Sequence, residues 1–277
     1  MTPHLAERSR WQEAEVVNFI LSLRRLDLTL TEAEERVFED YARYHARRFA
    51  LVLNAFGPLI PESAQIFSVG STPNQLELLL AHEFDARVVG SAYNPLDTRD
   101  KFTAVYESSS SWHYEMEMYL RDCSRDPIPA ERESCDVVLC FEVVEHFLNS
   151  PASLFREVRR VLRPSGHLLL STPNLQHWHR LLYWMNGVTY PDTDFHEPLE
   201  SRHTHIFSSR ELKELLNTAG LEIVNRFFDD PWQIAKPGMQ HASLDQMALD
   251  LLADREEFQH ECIFIAAHPA QTELTPS

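Results

Sequence analysis

Short apolar runs of strand length alternate with helical segments over most of the chain, from Gln65 to Ala267. Such alternation predicts βαβ units, and therefore a sheet whose central strands are parallel. The predicted strands are Gln65 to Val69, Ala86 to Gly90, Trp112 to Leu120, Cys135 to Phe141, Gly166 to Ser171, Leu221 to Phe228 and Glu261 to Ala267. Helices are predicted between them, at Gln75 to Phe84, Pro151 to Leu162 and Arg210 to Ala219. The pattern therefore predicts an α/β fold with one doubly wound, mostly parallel, seven-stranded sheet.

The first part of the chain has a helical pattern instead. Apolar residues recur at helical spacing from Leu5 to Leu26, and a second helix is predicted from Glu32 to about Phe56. Thr31 and Glu34 form a capping-box signature at the start of that second helix. The predicted organisation is a helical N-terminal extension over residues 1–57, a single sheet domain over residues 58–270 and a short tail over residues 271–277.

Three segments do not fit the alternating pattern. Asn94 to Ser111 contains prolines, aspartates and a serine run but no convincing crossover helix, so it is predicted to be irregular. Residues 176–204 and 229–259 follow predicted strands and are longer than ordinary connections. Long insertions at such places often cover a binding site, and we expect these two to form a lid.

Composition narrows the choice of partner. Lys and Arg number 25 against 42 Asp and Glu in 277 residues, a formal net charge of −17. This surplus repels a phosphate backbone, so a nucleic-acid partner is disfavoured and a small molecule is expected. The sequence shows no apolar stretch of membrane-spanning length and no secretory signal. Its four cysteines form no C-x-x-C pair, and the expected location is a reducing cytoplasm. The pattern leaves the oligomeric state open.

The run from Cys135 to Asn174, CDVVLCFEVVEHFLNSPASLFREVRRVLRPSGHLLLSTPN, resembles the second half of the class I S-adenosylmethionine-dependent methyltransferases. The resemblance is strongest with the branch that holds the ubiquinone-biosynthesis O-methyltransferases and many glycan methyltransferases. It continues in His203 to Gly220, HTHIFSSRELKELLNTAG, and in the Asp122-Cys123 pair after the third predicted strand. The resemblance implies a Rossmann-like sheet, S-adenosylmethionine as cofactor and methyl transfer as the reaction.

The cofactor residues that the resemblance implies lie at the carboxyl ends of predicted strands, where open α/β sheets bind ligands. They are Ser68, Gly70, Ser71, Thr72, Asn94, Asp122, Cys123, Phe141 and Glu142. The first motif is degenerate, because the family's acidic residue is Ser68 here and only Gly70 remains of its usual glycines. The family's ribose-binding acid is Ala92 by position, with Asn94 as the nearest polar substitute. These changes keep open an alternative, a protein that has lost cofactor binding and serves as a binding or scaffolding subunit.

A second constellation follows the fourth predicted strand. Glu142, Glu145 and His146 are spaced i, i+3 and i+4, which on a helical turn puts them on one face. The pattern resembles the metal-binding set of the ubiquinone-biosynthesis O-methyltransferases and of the small-RNA 3′-terminal ribose methyltransferases, with His203 in the fourth position. It implies that these four residues hold a divalent cation such as Mg²⁺ and that His146 or His203 takes the acceptor's proton. In the structural alternative, Glu145 caps the short helix and His146 packs under the sheet.

Two further groups have a functional and a structural interpretation. Four aromatic residues either line an acceptor pocket or form the core of a lid: Trp178, Tyr183, Trp184 and Tyr190. Arg43, Arg47 and Arg48 either meet an anionic substrate or, as we expect, form a solvated helix face. The sequence therefore predicts a methyltransferase that acts on an oxygen, or as second choice a nitrogen, of a small molecule or glycan. The inactive subunit is the alternative.

Overall fold

The computed structural model describes residues 10–94, 96–185, 187, 202–231 and 255–270. The helices are α1 (Glu13–Leu21), α2 (Glu32–Phe56), α3 (Gln75–Phe84), α4 (Ala152–Val161), α5 (Trp178–Met185), α6 (Ser209–Thr218) and α7 (Glu256–Gln259). The strands are β1 (Leu23–Arg25), β2 (Gln65–Val69), β3 (Arg87–Ala92), β4 (Lys101–Ser108), β5 (His113–Leu120), β6 (Cys135–Phe141), β7 (Leu162–Pro173), β8 (Leu221–Asp229) and β9 (Cys262–Pro269). A 3-10 turn at Val144–His146 follows β6.

The strands of the described ranges form one sheet, in the order β1-β4-β5-β3-β2-β6-β7-β9-β8. The central strands β5, β3, β2, β6 and β7 are parallel, and the pairs at both edges are antiparallel. The winding direction reverses between β2 and β6, and in open α/β sheets this switch point opens the ligand crevice. The doubly wound α/β prediction is confirmed, and every predicted strand is present. The described sheet has nine strands, however, and the predicted number of seven is wrong, because β1 and β4 extend one edge.

The prediction of an irregular segment from Asn94 to Ser111 is wrong, because β4 lies within it and pairs antiparallel with β5. Ala104 and Tyr106 of β4 are buried, whereas the residues that alternate with them are more exposed. This period of two is the signature of a strand with one packed face. The flanking prolines and serines concealed it, because they belong to the connections on either side of the strand.

The first helix also ends earlier than its apolar spacing predicts. α1 stops at Leu21, and Leu23 then pairs with Ser108 of β4 in the short strand β1. The apolar residues up to Leu26 have helical spacing, but residues 23–25 form a strand because they pair with β4, which is distant in sequence. A tertiary contact overrides the local preference here.

Helices cover both faces of the sheet. α1, α2 and α3 pack together on one face, and α4 and α6 pack on the other. Phe49 and Val52 of α2 share one hydrophobic core with Ile66 of β2 and Val137 of β6. The predicted N-terminal extension thus contributes to the same core as the sheet. None of the described helices combines the length and the apolar composition that crossing a bilayer requires.

The cysteines are all free thiols in the interior. Cys123, Cys135, Cys140 and Cys262 are each buried and none forms a disulfide. Burial raises the pKa of the Cys123 thiol to about 11, more than the hydrogen bond with Ser91 lowers it. A buried thiol with a raised pKa is a poor nucleophile, so these residues act as small apolar groups in the core.

Candidate functional site

The turn after β2 forms the floor of the switch point. Gly70 has a φ of +67°, and a Cβ on it would lie 2.6 Å from Cγ2 of Val143. Ser71 donates its backbone N–H to the carbonyl of Ser91 at 2.9 Å. Asn74 precedes α3 with a φ of +69°, a conformation that asparagine tolerates better than most residues. The degenerate first motif therefore still folds into a tight turn against the end of β3.

A cavity of about 680 Å³ opens outside the carboxyl ends of β2, β3 and β5. Its lining includes three predicted cofactor residues and the position of the family's second acid, namely Gly70, Thr72, Asn94 and Ala92. Two carboxylates also face this cavity, Asp27 and Asp97, and each is hydrogen-bonded to a nearby arginine. The cavity therefore combines an uncharged wall at Ala92 with acidic groups at its rim.

The Asp122-Cys123 pair after β5 makes contacts away from this cavity. Cys123 Sγ donates to Ser91 Oγ at 3.4 Å, which ties the pair to the end of β3. The Asp122 carboxylate accepts hydrogen bonds from the backbone N–H and the hydroxyl of Ser124, at 3.1 and 2.5 Å. Neither residue lines the 680 Å³ cavity. The predicted role of Asp122 and Cys123 in cofactor binding stays a prediction.

Ser68 occupies the position of the family's acid, but a carboxylate lies directly beside it. The Ser68 hydroxyl donates to Oε1 of Glu77, in the first turn of α3, at 2.6 Å. Glu77 is buried, and burial raises the pKa of its carboxyl to about 7 against the opposing effects of Ser68 and of the Arg48 charge. Sequence reasoning missed Glu77 because the family motif carries its acid on the strand. The available signal was a glutamate between the apolar residues Leu76 and Leu78 near the start of α3.

Arg48 of α2 places a positive charge beside the turn after β2. Its side chain is buried, and its Nη2 donates to the hydroxyl of Tyr41 at 3.3 Å. A narrow cavity of about 30 Å³ separates Arg48 from the turn after β2. The lining of this narrow cavity brings Arg48 and Glu77 together with the predicted residues Ser68, Gly70, Ser71, Thr72 and Phe141. A buried cation and a buried carboxyl group thus lie at one end of the predicted cofactor site.

The expected solvated face of Arg43, Arg47 and Arg48 is wrong for Arg48, whereas the side chain of Arg47 is 39% exposed. Arg48 is buried, and Arg47 forms an ion pair with Asp229 at 2.7 Å. Helix geometry explains the error, because Arg48 precedes the buried Val52 by four residues and so lies on the packed face of α2. Arg43 is exposed, as predicted.

Glu142 ends β6 in a left-handed conformation, with a φ of +55°. Its Oε1 accepts a hydrogen bond from the Ser171 hydroxyl at 2.5 Å, and its backbone N–H donates to the Ser171 carbonyl at 3.0 Å. Burial raises the pKa of the Glu142 carboxyl, while the charge of Arg48 and the Ser171 hydrogen bond act in the opposite direction. Glu142 is therefore fixed to the end of β7, close to the Arg48 floor.

Glu145 is fully buried in the 3-10 turn after β6. Thr172 donates to its Oε2 at 3.0 Å, whereas its Oε1 has no hydrogen-bond partner among the described residues. Burial raises the pKa of the Glu145 carboxyl well above its usual range, and the charge of Glu142 raises it further. A buried carboxyl oxygen without a partner costs free energy, which makes it a candidate ligand atom.

Residues 202–204 bring the chain back to this turn. The backbone N–H of Thr204 donates to the Glu145 carbonyl at 2.7 Å. This contact sets His203 beside His146, with ring centroids 4.8 Å apart. One ligand atom from each of Glu145, His146 and His203 lies within 4.8 Å of the other two. The structure thus brings together three of the four predicted metal ligands.

Glu142 is not one of those three residues, because the helical face that the sequence predicts does not form. The prediction requires a helical turn directly after Phe141, but Glu142 is left-handed and the 3-10 turn begins only at Val144. The left-handed residue turns the chain, so the Glu142 carboxylate bonds to Ser171. The prediction that Glu142, Glu145 and His146 share one helical face is therefore wrong. Tertiary contacts of Thr204 assemble the other three residues.

The predicted lid segments fall largely outside the described residues, including Tyr190 and residues 188–201 and 232–254. The described part of the first segment consists of residues 176–185, which include α5, residue 187, and residues 202–204, which contact the turn after β6. Trp178 at its start is buried, and Tyr183 is partly buried, whereas Trp184 is 78% exposed. Trp178 therefore packs as core, and Trp184 at the end of α5 presents its side chain to solvent.

The sheet order, with the antiparallel β9 between β7 and β8, defines a Rossmann-like fold, and the charged floor lies at its switch point. A family model described as "Methyltransferase domain" matches residues 41–226. The chain belongs to this methyltransferase family. A relative in Mycolicibacterium smegmatis, described as a "Probable S-adenosylmethionine-dependent methyltransferase", is 39% identical over 97 residues, which are 35% of this chain and 32% of the relative. The alignment therefore spans about a third of that curated relative.

Solved structures share the fold at low identity. A S-adenosylmethionine-dependent methyltransferase from Archaeoglobus fulgidus matches with a TM-score of 0.52 and 15% identity, over 80% of this chain and 94% of that one. Geranyl diphosphate C-methyltransferase from Streptomyces coelicolor, in complex with Mg²⁺, geranyl diphosphate and S-adenosyl-L-homocysteine, matches with a TM-score of 0.53 and 13% identity, over 87% and 85%. These likenesses establish a Rossmann-like methyltransferase fold.

Proposed function

We propose that this protein transfers a methyl group from S-adenosylmethionine to an oxygen of a small molecule or glycan. The observation that carries the proposal is the buried pair of Arg48 and Glu77 beside the Gly70 turn, at the switch point of the sheet. S-adenosylmethionine has an amino-acid end with one carboxylate and one ammonium group. The floor of the site offers one cation and one carboxyl group to match them.

Each group of the floor suits one group of the cofactor. A guanidinium is always charged and binds a carboxylate through two parallel hydrogen bonds, so Arg48 takes the carboxylate. A nearby positive charge favours the ionised form of an acid, so the Glu77 carboxyl releases its proton when the ammonium approaches. In this proposal Glu77 does the work of the acid that is missing at Ser68.

The nucleoside end of the cofactor fits the 680 Å³ cavity. Asn94 supplies an amide that both donates and accepts hydrogen bonds, which a ribose diol requires. Ala92 contributes no hydrogen bond, so the ribose is held without the charge that the family's acid provides. The Asp122-Cys123 pair belongs to this end of the cofactor in the predicted arrangement.

The chemical step needs alignment more than acid or base strength. Methyl transfer is an in-line displacement in which acceptor oxygen, methyl carbon and sulfur lie on one line, and holding them so supplies most of the rate enhancement. The acceptor hydroxyl must also lose a proton. His146 and His203 lie side by side at the end of β6, and an imidazole that is not bound to an ion accepts that proton.

The predicted divalent cation fits the residues at this position. Glu145, His146 and His203 would hold the ion, because they offer a carboxylate oxygen without a partner among the described residues and two imidazoles within 4.8 Å. Glu142 is the fourth predicted ligand. A divalent cation would supply one effect there, a lower pKa of the acceptor hydroxyl, and the two imidazoles favour a transition-metal ion over the predicted Mg²⁺.

Calorimetric titration with S-adenosylmethionine tests the cofactor site. Arg48→Gln removes the proposed carboxylate partner, and hydrogen bonds to charged groups contribute about 1.5–3 kcal/mol, so affinity is expected to fall about 10- to 100-fold. Arg43→Gln is the matched control, since Arg43 is an exposed arginine of the same helix. No binding of S-adenosylmethionine or S-adenosylhomocysteine by the wild-type protein would favour the scaffolding alternative instead.

Transfer of a labelled methyl group to catechols, other vicinal diols and glycans tests the acceptor. Glu145→Ala is expected to lower turnover and to leave the dissociation constant of S-adenosylmethionine unchanged, because Glu145 lies at the acceptor end in this proposal. Removal of divalent ions by a chelator is expected to lower turnover in the same way. Turnover that is indifferent to chelation would leave Glu145, His146 and His203 as packing groups.

A further inference from the structure

A second group of side chains that could bind a metal ion lies just after β7 and just before β9. It consists of His177, His179 and Glu261, which we call the β9 cluster. One ligand atom from each of the three residues lies within 4.8 Å of the others. Their exposed fractions are 0%, 5% and 7%. The β9 cluster shares no residue with the predicted metal set at the end of β6.

Backbone and side-chain hydrogen bonds hold the β9 cluster in place. Asn174, the residue after β7, donates through Nδ2 to the carbonyls of Glu257 and His260, at 2.6 and 2.9 Å. Its backbone N–H donates to the Glu261 carbonyl at 2.7 Å. Its own carbonyl accepts from the N–H of His177 at 3.2 Å. One residue thus joins the segment that carries the two histidines to the segment that carries the glutamate.

The glutamate is anchored from a third direction as well. The backbone N–H of Glu261 donates to Oδ1 of Asp230 at 2.7 Å, and Asp230 follows directly after β8. The ring centroids of His177 and His179 are 5.3 Å apart and the rings are inclined at 75°, so the two imidazoles meet edge to face. A pre-positioned set of this kind loses little conformational entropy when it binds an ion.

We propose that the β9 cluster binds a divalent transition-metal ion, with Zn²⁺ as the ion that its donor set suits best. Two imidazole nitrogens and one carboxylate oxygen are a known zinc donor set, in which a water molecule completes the tetrahedron. Imidazole favours zinc and its neighbours in the first transition row, whereas Mg²⁺ favours an all-oxygen shell.

The ion would fasten the start of α5 to the start of β9. Ligands about 2.1 Å from a tetrahedral ion lie about 3.4 Å from one another, so small side-chain rotations close the present spacing. Because Asn174 and the two histidines follow the strand that carries Thr172, the ion also braces the wall beside Glu145. Its role in this proposal is structural, and it does not depend on whether the protein transfers methyl groups.

Metal content of the purified, full-length protein is the first test. The protein is stripped with a chelator, titrated with Zn²⁺ alone by calorimetry, and its thermal unfolding is followed with and without Zn²⁺. We expect one ion per chain at this site and a higher unfolding temperature with Zn²⁺, since a ligand that binds only the folded state stabilises it. Wild-type protein that binds no Zn²⁺ would overturn the proposal.

Variants separate the β9 cluster from the other metal candidate. His179→Gln and Glu261→Gln are each expected to weaken Zn²⁺ binding at least about 10-fold, since even residues that only support a metal site contribute that much. His167→Gln, a partly buried histidine of β7 outside the cluster, and His203→Gln are the controls and are expected to retain this site. Loss of Zn²⁺ binding in His203→Gln alone would overturn the proposal.

Anomalous scattering at the zinc edge from crystals of the Zn²⁺-loaded wild-type protein removes any dependence on how the variants fold. A peak between His177, His179 and Glu261 supports the proposal. A peak only between Glu145, His146 and His203 overturns it and assigns the bound ion to the end of β6 instead.

Discussion

The carboxyl group of Glu77 is held where its neutral form is favoured, with a pKa of about 7 in the folded protein. An exposed glutamate in the unfolded chain titrates near about pH 4.3. The neutral carboxyl therefore stabilises the fold fully below about pH 4, and this contribution is lost as the pH rises toward 7. Glu77→Gln removes the titration and keeps an amide oxygen for the Ser68 hydroxyl.

Urea unfolding measured from pH 4 to pH 8 checks this effect. The free energy of unfolding of the wild-type protein is expected to fall relative to Glu77→Gln by up to about 3 kcal/mol as the pH rises to about 7.5. Glu39→Gln, at an exposed position of α2, is the matched control. Parallel curves for the wild-type protein and Glu77→Gln would show that the carboxyl is solvated in the folded state.

Ala92 leaves a gap at the ribose end that a carboxylate is expected to fill. Ala92→Asp places an acceptor for both ribose hydroxyls at the end of β3, so S-adenosylmethionine affinity is expected to rise about 10-fold. Ala92→Asn adds similar bulk without charge and serves as the control. Calorimetry measures both. A clear loss of affinity in Ala92→Asp with none in Ala92→Asn would mean that the ribose lies elsewhere.

Single positions could be predicted from the sequence only where a local pattern identifies them. The loss of the acid at Ser68 is visible in the motif, and so is the surviving Gly70. Glu77 and Arg48 reach the same spot from two different helices, and no spacing within either helix indicates that meeting. The grouping of His203 with Glu145 likewise depends on Thr204, which contacts the turn across a separation of 59 residues.

The turn between β2 and α3 requires glycine for two separable reasons, its positive φ and its contact with Val143. Gly70→Ala is expected to destabilise the protein by about 2–3 kcal/mol, of which the left-handed conformation accounts for about 1. Gly187→Ala isolates that conformational part, because Gly187 has a φ of +68° and nothing within 4 Å of an added Cβ.

A double-mutant cycle measures the contact itself. In a Val143→Ala background the added methyl at Gly70 no longer meets a side-chain carbon at 2.6 Å, so the cost of Gly70→Ala is expected to fall toward that of Gly187→Ala. Urea unfolding of the variants gives the coupling energy. A coupling near zero would show that the turn shifts to accept the methyl group.

Elements with a strong local pattern could be predicted almost to the residue. α2 and α3 have the predicted bounds, and the Thr31 and Glu34 capping box is present. β1 and β4 escaped prediction, because the first is a short strand that depends on the second. β4 in turn gains its partner only when β5 folds back on it. Strand pairing at a sheet edge is a tertiary property, which hydrophobic spacing does not report.

The N-terminal helices contribute to the stability of the entire fold. Val16, Ile20, Phe49, Val52 and Phe56 are buried against the sheet core. Each such side chain contributes about 1.5–3 kcal/mol, so the five together contribute roughly 10 kcal/mol, as much as the total stability of many domains. A chain that starts at Pro58 is therefore expected to show no cooperative urea unfolding and no near-ultraviolet circular dichroism signal.

A graded version of this test keeps the chain whole. Phe49→Ala is expected to cost about 3–5 kcal/mol, because it leaves a cavity in the shared core. Tyr44→Ala on the exposed face of α2 is expected to cost less than about 0.5 kcal/mol. Cooperative unfolding of the truncated chain with an unchanged dependence on urea would show instead that the sheet folds alone.

The buried thiols have a consequence for experiments on the intact protein. Alkylating reagents attack a thiolate that solvent reaches, so the folded chain protects all four cysteines. Each thiol is released only when its own part of the sheet opens. Early alkylation of Cys262 would report detachment of the β8 and β9 ribbon, whereas equal rates at Cys123, Cys135, Cys140 and Cys262 would report global opening. Mass spectrometry of timed alkylation thus measures local opening of the fold at four native positions, with no introduced cysteine.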